Sequence, residues 1–146
     1  MEKRHGNNFV KSFNKKYSLT SNIVIVEKKG KQFWCRKSKS DQLLINCHNS
    51  IQVWDLNVKK MKKSLFGFVL CMIKLSDSSR LVCGSYKDIH IWSLETYYQT
   101  RVLSGHSSYV RTIAQINSES IISGSDDKTL KVIFLINGHF GWASLP

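Results

Sequence analysis

The chain has 146 residues, 42% of them hydrophobic and 22% charged, with a formal net charge of +12. That length can build one domain with a real core, and the composition is ordinary for a globular protein. No apolar run approaches the roughly 20 residues of a membrane helix, and the charged N-terminus carries no apolar signal segment. The expectation is therefore a cytoplasmic protein, with the nucleus as the alternative, and no membrane partner.

Residues 1–21 read as a basic polar tail of flexible chain. Residues 1–40 hold eleven Lys/Arg against Glu2 and Glu27, a net of +9, whereas residues 41–146 hold eleven against eight acids, a net of +3. A basic arm can bind nucleic acid or acidic lipid through phosphates. Its lysines come in doublets such as Lys15-Lys16 and Lys28-Lys29, without the interleaved aromatics that base stacking needs. A solvated tail is the plainer reading. Ile23–Val26 reads as a strand left from a degenerate preceding unit.

From residue 33 the chain becomes periodic. Phe33–Arg36 reads as a strand, followed by turn residues at 37–42 and the segment 43–55, LLINCHNSIQVWD. Asn57–Lys60 reads as a link to a strand near Met61–Phe66. The order then repeats: Val69–Leu75, a Ser/Asp turn, the segment 81–93, LVCGSYKDIHIWS, and a strand at Thr100–Leu103. It repeats again with Val110–Ile116 and the segment 121–134, IISGSDDKTLKVIF. Ile51-Gln-Val53, Ile89-His-Ile91 and Leu130-Lys-Val132 alternate with period two, and their β-branched residues suit a pleated surface. Trp54 and Trp92 lie 38 residues apart, and Ile133 falls 41 after Trp92. A repeat of roughly 40 residues with several short strands is the signature of propeller blades.

The cysteines keep the same rhythm. Cys35 to Cys71 is 36 residues, and so is Cys47 to Cys83. There is no Cys-x-x-Cys pair, which a compact zinc site would supply, so the thiols are expected to pack as small hydrophobes. His48, His90 and His139 have no metal-ligand spacing either. His90 alternates with Ile89 and Ile91 and is expected to face solvent. No metal and no cofactor is expected.

The chain resembles the WD-repeat (WD40) family. The resemblance rests on Gly105-His106, on Ser123-Gly124-Ser125-Asp126-Asp127, and on Val53-Trp54-Asp55 and Ile91-Trp92-Ser93. It implies an all-β fold: a partial β-propeller of about three four-stranded antiparallel blades. The expected organisation is a tail at 1–21, a propeller segment at 22–135 with units near 33–66, 67–103 and 104–135, and an irregular C-terminal tail at 136–146. Unit two has Phe66-Gly67-Phe68 where Gly-His belongs, and unit three has Ile133 where Trp belongs. Gly84–Trp92 is also similar to the WD-repeat tails of TRAF-type and F-box ubiquitin ligases.

His106, Ser123 and Asp127 are the residue types of a hydrolase triad. No Gly-x-Ser-x-Gly elbow is present, and Ser-Gly-Ser lacks the frame of a phosphate loop. The resemblance implies a structural role instead: the histidine bonds the turn aspartate, and the serine and a tryptophan extend the network. No catalytic residue is assigned, and Trp54 and Trp92 read as blade core. One face of the propeller, by the same resemblance, is built from the links entering the first strand and those joining the second and third. Its candidate contact residues are Phe68, Tyr86, Lys87, Ser107, Tyr109, Asp126 and Lys128.

The expected function is a protein–protein interaction scaffold or adaptor, in the manner of substrate recruitment in a ubiquitin-ligase or signalling complex. The alternative is a ribosome-assembly type of WD-repeat protein that binds nucleic acid through its basic arm. Three units are fewer than the four to eight that close a propeller. The chain is thus expected to be a piece of a longer propeller, to self-associate, or to hide a blade in its N-terminal segment.

Overall fold

The computed structural model describes residues 24–28, 31–37, 42–47, 49–55, 57–76, 79–135 and 141–145. The tail at 1–21 lies outside them, as do His48 and His139. Thirteen strands run through the described residues, each paired antiparallel with its neighbour in sequence within three sheets. The chain separates into two compact units, residues 1–67 and 68–146.

The first unit holds one sheet of five strands in sequence order: β1 (Val24–Lys28), β2 (Lys31–Lys37), β3 (Gln42–Cys47), β4 (Ser50–Asp55) and β5 (Lys60–Phe66). β1 pairs with β2, from Val24 opposite Cys35 to Lys28 opposite Lys31. It is therefore an extra edge strand of this sheet, where the sequence suggested a preceding unit. Two residues separate β1 from β2, and so short a link leaves a hairpin as the geometry within reach. Leu43, Leu44 and Ile45 are all buried. Successive strand residues point to opposite faces, so β3 is covered on both.

The second unit holds two four-stranded sheets: β6 (Cys71–Lys74), β7 (Arg80–Gly84), β8 (Asp88–Ser93) and β9 (Gln99–Ser104), then β10 (Val110–Asn117), β11 (Ser120–Ser125), β12 (Leu130–Phe134) and β13 (Gly141–Leu145). They share a core. Val82, Ile89, Ile91 and Leu103 pack with Ile113, Ile121 and Ile133. Each fully buried aliphatic contributes about 1.5–3 kcal/mol.

β13 differs from the irregular tail expected at 136–146. It pairs along β12, with Phe134 opposite Gly141 and Leu130 opposite Leu145. The last sheet thus has its fourth strand. An edge strand is paired on one side alone, so it needs little of the alternating pattern that marks a central strand.

The links into the last strand are built alike in the first two sheets. Asp55 Oδ1 accepts from the amides of Asn57 and Val58, and Ser93 Oγ accepts from those of Glu95 and Thr96. Each link then places one residue in the left-handed region, Lys59 at φ 53° and Tyr97 at φ 60°. A register shift follows beside each tryptophan, between Val53 and Trp54 and between Ile91 and Trp92. The residue after Trp, Asp in one unit and Ser in the other, acts as a turn cap.

Candidate functional site

His106, Ser123 and Asp127 meet as the family resemblance implied. His106 Nδ1 lies 2.8 Å from Asp127 Oδ2, and Nε2 lies 2.9 Å from Ser123 Oγ. A carboxylate only accepts, so Nδ1–H donates to Asp127, while Nε2 shares a hydrogen bond with Ser123 Oγ. The amide of Ser107 also donates to Asp127 Oδ2, at 2.9 Å. Thr129 donates to the other oxygen twice, from its hydroxyl at 2.6 Å and its amide at 2.9 Å. Burial by itself would raise the Asp127 carboxyl, but the bonds from Thr129, Ser107 and His106 reverse this and hold it well below the usual carboxylate range.

This constellation has the groups of a nucleophilic triad without the access. Ser123 is 0% exposed and His106 5%. A substrate carbonyl has no route to Ser123 Oγ, and nucleophilic catalysis needs an exposed hydroxyl. The arrangement instead ties the entry to β10 to the β11–β12 turn and satisfies every polar atom it buries. Ile133, fully buried in the core, fills the place of the missing tryptophan. Trp54 is buried, with Nε1–H donating to Gln52 Oε1 at 3.0 Å, and Trp92 is half-buried on β8.

The second sheet carries a different network, which the sequence reading missed. His90 does not simply face solvent. It is half-buried, with Nε2 at 3.1 Å from Ser85 Oγ and Nδ1 at 3.0 Å from Gln99 Oε1. Ser85 Oγ also lies 3.2 Å from the Asp88 carbonyl. Ser85 and Gln99 flank β8 on either side, so β8 holds their polar atoms within reach of both ring nitrogens.

Above the networks, one end of the two sheets carries all seven candidate contact residues. The backbone puts them there. The Leu70 amide bonds the Gly84 carbonyl, the Val110 amide bonds Ser85, and the Asp126 amide bonds Tyr109. These bonds join the approaches to β6 and β10 with the turns after β7 and β11. The Tyr86 and Tyr109 rings meet edge to face, 4.8 Å apart. Lys87 Nζ lies 5.1 Å from the Tyr86 ring, and the Arg111 guanidinium lies 5.0 Å from the Tyr109 ring. Arg111 donates to Asp126 Oδ2 from Nε and Nη2, at 2.8 and 2.7 Å. That bond holds the exposed Asp126 below its ordinary range. Lys128 sits at φ 67° in the turn below.

Arg111 was not among the sequence candidates. No period-two pattern marked it: a register shift between Val110 and Thr112 leaves both Arg111 and Thr112 exposed between the buried Val110 and Ile113. With Thr112, Gly124, Asp126, Lys128 and Leu130, Arg111 lines an open depression of about 280 Å³. The expected reading of the cysteines can be placed as well. Cys83 is fully buried, and Cys47 and Cys71 are half-buried, all three as free thiols. Burial pushes the Cys71 thiol up to about 11 and raises that of Cys83.

Comparison with known proteins agrees with this architecture. The family model of the WD domain, G-beta repeat, matches residues 97–133. Protein tipD of Dictyostelium discoideum is 29% identical over 93 residues, which are 61% of this chain and 15% of that protein. F-box/WD repeat-containing protein sel-10 of Caenorhabditis elegans is 32% identical over 105 residues, 64% of this chain and 17% of that one. The chain thus spans about a sixth of the length of these relatives. Among solved structures, a chain of the "Crystal Structure of Mitotic Checkpoint Complex" superposes with a TM-score of 0.64 at 19% identity, covering 74% of this chain and 34% of that one. The chain folds as antiparallel blades like those of WD40 propellers, and residues 97–133 match the WD repeat.

Proposed function

We propose that this chain is a protein-interaction scaffold whose partner docks on the loop end of residues 68–146, around Tyr86, Tyr109 and Arg111. The carrying observation is the clustering there of exposed aromatic and cationic side chains on backbone that two sheets hold rigid. Tyrosine and arginine supply large, amphipathic contact area at little entropic cost, and such residues dominate binding energy at protein interfaces. The likeness to F-box/WD repeat proteins supports a finer reading: recruitment of a substrate within a ubiquitin-ligase or signalling complex. Cytoplasm, with the nucleus as second choice, is the compartment that goes with this reading.

The test is quantitative cross-linking capture from cells, comparing wild type with the Tyr86→Ala/Tyr109→Ala variant. Both rings are exposed, so folding stability should change by no more than about 0.5 kcal/mol per site. Bound partners should fall about tenfold or more if the rings are anchors. A partner set captured equally by both proteins would sink the assignment of this surface.

A further inference from the structure

Positive charge is divided unevenly between the two units. Residues 1–67 hold fifteen Lys/Arg against Glu2, Glu27, Asp41 and Asp55, a net of +11, whereas residues 68–146 hold seven against six acids, a net of +1. Four of the fifteen fall within five residues: Lys59, Lys60, Lys62 and Lys63. They occupy the end of the β4–β5 link and the start of β5, the edge strand of its sheet. Residues 57–63 are all exposed, Val58 by 62% and Met61 by 50%. Asp55, opposite Lys60 in the register, turns Oδ1 to the amides of Asn57 and Val58. Among the described residues no acid pairs with Lys59, Lys60 or Lys63.

The fold does not require these lysines. The second sheet builds the same link, with Tyr97 left-handed where Lys59 is, and Gln99 opposite Trp92 where Met61 is opposite Trp54. By that register Tyr97, Tyr98, Thr100 and Arg101 stand in the places of Lys59, Lys60, Lys62 and Lys63, one cation for four. Lysine on an edge strand discourages pairing with other strands, but one cation serves β9, and exposed Val58 and Met61 run against that purpose. The composition of the patch says what fits it. Lysine is a hydrated point charge on a flexible stem and suits a diffuse anionic surface, whereas the planar fork of arginine suits single phosphate or carboxylate groups. Residues 57–63 contain no arginine, and no aromatic ring on which a base would stack. They do set two exposed apolar side chains among the cations, as surfaces do that sit at the boundary of lipid headgroups and acyl chains. An edge strand leaves the lysine stems room to bring their ammonium groups around Val58 and Met61.

We propose that the β4–β5 edge binds the surface of an anionic membrane leaflet, with Lys59, Lys60, Lys62 and Lys63 against the headgroups and Val58 and Met61 dipping below them. Contact of this kind needs no spanning segment. It is electrostatic first, so it weakens as salt rises.

Flotation of the full chain with vesicles tests this. Binding to phosphatidylcholine containing about 30% phosphatidylserine should exceed binding to phosphatidylcholine alone about tenfold or more. Each lysine lost from an anionic surface weakens binding about fivefold, so Lys60→Gln/Lys62→Gln/Lys63→Gln should weaken it about a hundredfold. Val58→Ser/Met61→Ser keeps every charge and should weaken it about tenfold. All five side chains are exposed, and circular dichroism melts verify that the variants fold. Should the triple variant fail to fold, Lys60→Gln alone reads one fivefold step. Arg101→Gln, which removes the cation of the equivalent strand, should leave binding unchanged, and deletion of residues 1–21 should cost less than the triple variant. Equal binding to the neutral vesicles overturns the proposal, as does a triple variant that binds like wild type. So does a tail deletion that costs as much as the triple variant, or a Val58→Ser/Met61→Ser variant with no loss. Loss of poly(U) RNA binding in the triple variant, with vesicle binding intact, overturns it too and assigns the patch to nucleic acid.

Discussion

Asp127 receives four hydrogen bonds, two on each carboxylate oxygen. Its ionised form is therefore favoured in the folded state over the unfolded chain, where the carboxyl titrates near about 3.9. The sign follows: Asp127 contributes stability that is fully present above the ordinary carboxylate range and is lost as pH falls through its depressed folded value. Urea midpoints measured against pH should drop below about pH 4 in wild type and drop less steeply in Asp127→Asn, which is less stable at neutral pH. Parallel acid limbs would contradict this. His106→Ala removes one donor to Asp127 and leaves Ser123 Oγ with the more distant Lys131 carbonyl, at 3.4 Å, a loss of about 1–3 kcal/mol by denaturant unfolding. The raised thiols of Cys71 and Cys83 predict that neither reacts with iodoacetamide near pH 8 in the folded protein, and that both react in urea. Mass spectrometry of the alkylated chain reads both states. The resemblance to the WD-repeat pattern made the His106–Asp127 pair legible. The His90 network was not, because Ser85 and Gln99 converge on it only once β8 is paired on both sides.

Strand order and hairpin links were the most legible features, since period two and turn residues are local signals. The ends of the run were less so. β1 and β13 are edge strands, and half of each backbone pairing that defines them comes from a neighbour. Glycine at position 84 shows why one element cannot be read alone. A methyl group there would sit 2.7 Å from Cys71 Sγ and 2.8 Å from Val110 Cγ1. Cys71 belongs to the neighbouring strand and Val110 to the next sheet. Gly84→Ala should thus cost about 1–3 kcal/mol as overpacking where β6, β7 and β10 converge, read from the shift of the denaturant midpoint at constant slope. A neutral or stabilising Gly84→Ala would mean that the two sheets have room to part.

Across the whole molecule, charge and contact surface are separate. The surplus of positive charge lies before residue 41, while the aromatic and cationic loop end lies in residues 68–146. Strands β1 and β2 occupy residues 24–37 within the basic segment. A truncation of residues 1–21 removes charge and leaves β1 and β2 whole. Residues 1–21 hold five Lys/Arg against Glu2. Their deletion should weaken heparin binding and flatten its salt dependence, because each cation lost releases fewer counterions. Capture of protein partners should be unchanged. Capture that falls together with heparin affinity would transfer the contact surface to the basic arm.

The sequence by itself determined the all-β class and the repeat length, and the family resemblance added the residues of the His106 network. These depend on local periodicity and on residue types at fixed separations. The tertiary structure decided which apolar residues became core. Ile121 and Ile122 are neighbours of the same type, yet one seals the contact with β6–β9 and the other faces outward. That choice depends on which face of the sheet another sheet covers, and no pattern confined to one strand records it.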